Sequence, residues 1–122
     1  MWWRVLQARL CHLLNDGGAA IASAREMLAW VLRGSYTAAD QSFYRAQVVA
    51  IEGWTAPALR TLEQLRPLWV PMGEANRLST CKILNHLAIH RSDLSDAERA
   101  AFASVDGSET ALDTARPPCP LP

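Results

Sequence analysis

The chain has 122 residues, half of them apolar and a fifth charged, with a formal net charge of zero and three cysteines. That length fits one domain whose folding buries roughly two-thirds of its unfolded surface, enough for a core without disulfide or metal staples. No apolar run approaches the roughly 20 residues needed to span a bilayer. Cys11, Cys81 and Cys119 are odd in number and far apart, which argues against a disulfide framework and for a reducing, cytoplasmic setting.

Apolar residues recur at spacings of three and four along most of the chain and seldom alternate at two, a pattern that predicts an all-α fold. A first helix over about residues 2–15 carries Trp3, Leu6, Leu10 and Leu13 on one stripe and ends at Asn15-Asp16-Gly17-Gly18. Arg4 and Arg9 stand in it with no acid before Asp16, so it is also read for contact with a membrane surface, although it lacks the continuous apolar stretch and cleavage site of a secretory signal. A second helix, about 19–33, places Ile21, Ala24, Leu28 and Val31 inward and closes at Gly34.

Thr37-Ala38-Ala39-Asp40 is an N-cap with an acid three residues on, opening a helix to about Glu52 with Phe43, Val48 and Ile51 inward. After Gly53, Thr55 is expected to cap a further helix with Pro57 in its first turn and Leu59, Leu62 and Leu65 as its stripe. Pro67 disfavours helix at Arg66, so Pro67-Leu68-Trp69-Val70-Pro71 is expected to be an extended strap. A helix over about 73–90 follows, with Leu78, Cys81, Leu84, Leu87 and Ala88 inward. Ser95-Asp96-Ala97-Glu98 is a capping box for a last short helix with Ala101, Phe102 and Val105 available to dock. The expected architecture is therefore a compact irregular bundle of five to six short helices over residues 1–105, with a disordered acidic and proline-rich tail at 106–122.

The zero net charge conceals an asymmetry. Residues 1–91 hold ten bases against six acids, and residues 92–122 hold two bases against six acids. Eleven of the twelve bases are Arg, and Ala with Leu account for 36 residues, the composition of a GC-rich bacterial or phage coding sequence.

Three function classes were weighed on specific residues. His86 and His90, at i and i+4 on one helix, have the spacing of two imidazoles on one metal ion, and Cys11-His12 could add ligands. Cys81 and His86, however, are five residues apart, about 140° round a helix, and no Glu-x-x-His motif is present. The nucleophile elbow, the phosphate-binding loop and the dinucleotide fingerprint are also absent, so no catalytic residue, cofactor or metal is assigned. The second class rests on Val49, Gly53 and Leu59, which resemble the buried–turn–buried pattern of a helix-turn-helix over about residues 43–66; that resemblance implies nucleic-acid contact through Arg45, Arg60 and Arg66.

The third class rests on the aromatics. Five tryptophans are many for so small a core, and eight of the nine aromatic residues precede residue 70. Trp2 and Trp3 project about 100° apart, so one of them faces outward. Trp30 lies off the inner stripe of its helix, and Trp69 sits in the expected strap. Exposed Trp and Arg carry much of the energy of protein contacts. The leading expectation is a small non-enzymatic protein-binding module, an adaptor, inhibitor or assembly factor, that docks or self-associates through Trp2, Arg9, Trp30, Arg33 and Trp69.

Overall fold

The computed structural model describes residues 17–115. Among these residues every regular element is an α-helix: α1 (Gly17–Arg33), α2 (Ala38–Glu52), α3 (Ala58–Trp69), α4 (Glu74–His90), α5 (Asp96–Ser104) and α6 (Ala111–Thr114). The expected helix at 2–15, with Trp2 and Arg9, lies outside the described residues.

The expected caps explain where two helices begin. Asp40 N–H donates to Thr37 Oγ1 at 3.1 Å. Both bonds of the Ser95/Glu98 capping box form, at 3.0 and 3.1 Å. Thr55 does not cap α3, because the backbone N–H groups of Thr55 and Ala56 turn back onto Glu52 O and Pro57 takes the N-cap position without a side-chain bond. At Gly73, φ is +89°, a backbone that only glycine adopts without strain, and α4 starts directly after it.

Helix α2 is the hub, packed against α1, α3 and α4, while α5 lies on α4 and α6 on α3. The inner stripe of α1 is Ala20, Ala24, Met27 and Val31, a run spaced by four, three and four; Ile21 and Leu28 flank it, half-buried. Ala20 and Ala24 of α1 and Ala46 and Ala50 of α2 are all fully buried, and such small side chains let two helices approach closely. Large side chains fill the opposite side: Leu62, Leu65 and Trp69 from α3, Leu84 and Leu87 from α4, and Phe102 from α5. Leu59 and Leu78, expected inward, are exposed.

Two expectations at the C-terminal side are corrected. Pro67 does not end α3, which continues through it to Trp69, so no extended strap forms. The N–H that Pro67 lacks would have met Glu63 O in an exposed turn, where water can serve that carbonyl. Continuing the helix also carries Trp69 into the core at 1 % exposure, where its Nε1–H donates to Ser108 O at 2.7 Å. The packed part of the chain extends past residue 105: Ala111, Leu112 and Ala115 are buried with the core, so residues 106–115 are folded chain rather than tail. Residues 116–122 lie outside the described residues.

Guanidinium groups, buried at Arg77 and Arg91 and half-buried at Arg99, hold these pieces together. Arg91 Nη1 donates to Gly53 O at 2.7 Å and also to Ala56 O, closing the C-terminal end of α2 and the turn into α3. Its other nitrogens hold Asp93 in two bonds of 2.9 Å. Arg77 donates to Gly107 O at 2.7 Å and to Trp69 O and Val70 O at the end of α3. Arg99 donates to Ala88 O at 2.7 Å in the last turn of α4 and to Leu94 O at 3.2 Å. Cations at helix C-termini satisfy orphan carbonyls and oppose the negative end of the helix dipole. Gly53 is buried where its carbonyl meets Arg91, and a Cβ there would lie 2.9 Å from Ala50 O and 3.0 Å from Leu87 Cδ1.

Arg91→Leu leaves the carbonyls of Gly53 and Ala56 without their buried donor. It is expected to cost about 2–4 kcal/mol in urea unfolding, whereas the same change at exposed Arg45 costs less than about 0.5 kcal/mol. The structure also sets the acid limb of stability. The hydrogen bonds from Arg91 hold the Asp93 carboxyl below the usual carboxylate range, and the Ser95 backbone N–H does the same for Glu98. Groups with a depressed folded pKa contribute stability that is complete above the unfolded value, near pH 4, and is lost as pH falls through the lower folded value. Urea midpoints measured between about pH 2 and 6 should therefore fall below about pH 4, and less steeply in D93N and E98Q.

Candidate functional site

The most exposed indole among the described residues is Trp30, 60 % accessible on the outer face of α1. Arg33, one turn on, places its guanidinium carbon 5.9 Å from the Trp30 ring centroid, within cation–π range, and its Nε–H donates to Ala29 O at 3.2 Å. That bond uses the carbonyl four residues back and fixes the side chain along the helix. Leu32 is exposed beside them.

The α1–α2 turn adds three aromatic rings to this end of the bundle. Tyr36 and Tyr44 meet edge-on with centroids 6.0 Å apart, and Phe43 lies 5.2 Å from Tyr44. All three are half-buried. Gln41 Nε2 donates to Tyr36 O at 3.1 Å and holds the turn against α2. Burial, and then the neighbouring Tyr36 and Asp40, push the Tyr44 hydroxyl above its ordinary pKa, so it remains a neutral hydrogen-bonding group. The result is a tethered aromatic edge next to an exposed Trp–Arg pair. Tyr36 and Tyr44 were not singled out from the sequence, and Phe43 was expected inward. Their eight-residue separation across a short turn was the available signal.

The other expected contact residues fall elsewhere. Trp69 is part of the core, which removes it from any surface. The arginines of the nucleic-acid reading point to different tasks. Arg45 is exposed on α2, and Arg60 lines a cleft of about 200 Å3 with Arg25, Glu52 and Gln64. Arg25 there already pairs with Glu52 at 2.8 Å. Arg66 instead donates to Leu112 O at 3.3 Å and pairs with Glu63 at 3.1 Å, so it ties α3 to the C-terminal segment. Leu59, which the helix-turn-helix pattern places inward, is exposed.

His86 and His90 do come together, with ring centroids 4.2 Å apart and Trp54 6.1 Å beyond His86. Burial, and then the neighbouring His90, lower the His86 pKa, which favours the neutral imidazole. Among the described residues no third His, Cys, Asp or Glu joins them in a cluster that could hold a metal ion. Cys11 and His12 lie outside the described residues. Cys81 is buried on the inner face of α4, and burial pushes its thiol up to about 11.

The chain matches no protein-family model, no curated protein and no solved structure. Its surface chemistry therefore carries the functional reading.

A neutral, enclosed thiol is a poor nucleophile. In a C11S/C119S variant, the remaining Cys81 should react with an aromatic disulfide reagent at pH 8 at least about 100-fold more slowly when folded than in denaturant. Equal rates would place Cys81 in an open, reactive site.

Proposed function

We propose that this protein is a small non-enzymatic docking module that binds a protein partner through the outer face of α1 and the α1–α2 turn. The observation that carries this reading is the 60 % exposed Trp30 with Arg33 held over its ring. A free indole on a water-facing helix leaves apolar area unburied, on the order of 150–250 Å2 for a whole aromatic side chain. Burying it against a partner recovers that hydrophobic contribution. Trp and Arg are also the residue types over-represented among contacts that dominate binding energy.

The supporting elements agree with that role. Arg33 keeps a charged group over the indole, where it can meet a carboxylate at the polar rim, and no ion-pair partner stands against it among the described residues. The rings of Tyr36, Phe43 and Tyr44 pack on one another and so present a surface that loses little side-chain freedom on binding. A cytoplasmic setting goes with this reading, in which Cys81 is a buried free thiol. The nucleic-acid reading is left with Arg45 and Arg60 as exposed guanidiniums, a small charge for phosphate binding.

Trp30→Ala should weaken partner capture by at least about tenfold while far-UV circular dichroism and the urea midpoint stay near wild type. Trp69→Ala should do the reverse and lower stability by about 3–5 kcal/mol. If W30A unfolds the chain, or if partner capture is indifferent to it, the docking face lies elsewhere.

A further inference from the structure

A second surface complements the Trp30–Arg33 pair in charge. Between the first turns of α4 and the 106–109 loop lies an open cleft of about 480 Å3, lined by Glu74, Arg77, Leu78, Asp106, Ser108 and Glu109. Its volume falls within the range of pockets that enclose a side-chain-sized ligand. The carboxylates of Glu74, Asp106 and Glu109 are exposed at its mouth. The one guanidinium in the lining, Arg77, is buried and spent on the carbonyls of Gly107, Trp69 and Val70. Asp106 Oδ1 accepts the Ser108 N–H at 2.9 Å and so stays ionised.

The cleft also has an apolar wall. Leu78 is 49 % exposed there and lies so close over Gly107 that a Cβ on residue 107 would come within 2.6 Å of Leu78 Cδ2. The glycine thus lets the loop sit against the leucine and leaves the leucine's outer side open. An apolar wall with an anionic rim is the counterpart of an indole that carries a guanidinium.

We propose that this cleft receives the Trp30–Arg33 pair of a second copy of the chain, so that molecules associate head to tail. The inference rests on the docking role given to Trp30 above and names its partner. Charge complementarity favours this occupant: Arg33 has no carboxylate partner within its own chain among the described residues, whereas the cleft holds three carboxylates against one guanidinium. The two surfaces share no residue, so an open head-to-tail dimer keeps one free pair and one free cleft to which further copies can add. Opposite charges at the rim make the association weaken as salt screens them.

Sedimentation velocity of the full chain, from tens to hundreds of micromolar at low and high salt, tests this. The average mass should rise above the monomer with concentration and fall back with salt. R33E, W30A and the double variant E74K/E109K, all at exposed positions, should each weaken association at least about tenfold with unchanged circular dichroism. The deciding measurement mixes W30A, whose cleft is intact, with E74K/E109K, whose Trp–Arg pair is intact. The two should form a one-to-one complex and nothing larger, while the wild-type chain grows past the dimer with concentration, which a closed symmetric dimer cannot do. A wild-type chain that stays monomeric, or association unaffected by E74K/E109K, overturns the proposal. If the chain is monomeric but captures another protein in a Trp30-dependent way, self-association falls and the docking role stands. If W30A alters neither property, both fall.

Discussion

The fold depends on the pairing of arginine side chains with the carbonyls at helix ends. Three successive helices, α2, α3 and α4, finish at or beside a guanidinium supplied from later in the chain: Arg91 at Gly53 and Ala56, Arg77 at Trp69 and Val70, and Arg99 at Ala88. Each bond satisfies carbonyls at a helix end, and those of Arg91 join segments 35 and 38 residues apart in sequence. Arg77 also holds Gly107, and Arg66 holds Leu112, so the C-terminal segment is fastened to the bundle by the same chemistry. A guanidinium suits this task because its planar fork offers several donors in fixed directions and it stays charged.

That use of arginine decides what remains for function. A sequence rich in Arg looks well supplied for binding nucleic acid or acidic partners, yet Arg66, Arg77, Arg91 and Arg99 face inward or along the backbone and contribute little to an outer field. The basic groups left outside are few, and Arg33 is distinguished among them by its indole. The apolar residues show a parallel division. Trp69 is consumed by the core and Trp30 is not, although both are tryptophans near a helix C-terminus. The difference is that Trp69 faces the 106–115 segment, whose Ser108 carbonyl accepts its N–H, whereas Trp30 points away from α2.

Much of the architecture was legible in the sequence because it is local. Thr37 and Ser95 cap helices through groups three residues away, and the periodicity of Leu62, Leu65, Leu84, Leu87, Ala101 and Phe102 marks faces that do turn inward. The places where local rules misled share one cause. Pro67 should end a helix by its own chemistry, but burial of Trp69 one half-turn later and its bond to Ser108 carry the helix through. Residues 106–115 are too sparsely apolar to promise a fold, but Leu112, Ala111 and Ala115 drop into space already shaped by other helices. Leu59 and Leu78 fit helical stripes but are not enclosed: Leu59 is exposed, and Leu78 meets the Gly107 loop on one side only.

The candidate surface divides in the same way. That Trp30 lies off its inner stripe, and that Arg33 follows it by one turn, are consequences of 3.6 residues per turn and need only the sequence. Which tryptophan remains exposed, which arginines are spent on carbonyls, and that Glu74, Asp106 and Glu109 gather round Leu78 required the tertiary structure. Helix periodicity and capping act over a few residues and are written locally. Burial and charge pairing depend on segments 30 to 46 residues apart, such as Arg77 with Gly107 and Arg66 with Leu112, and only the folded chain brings those together.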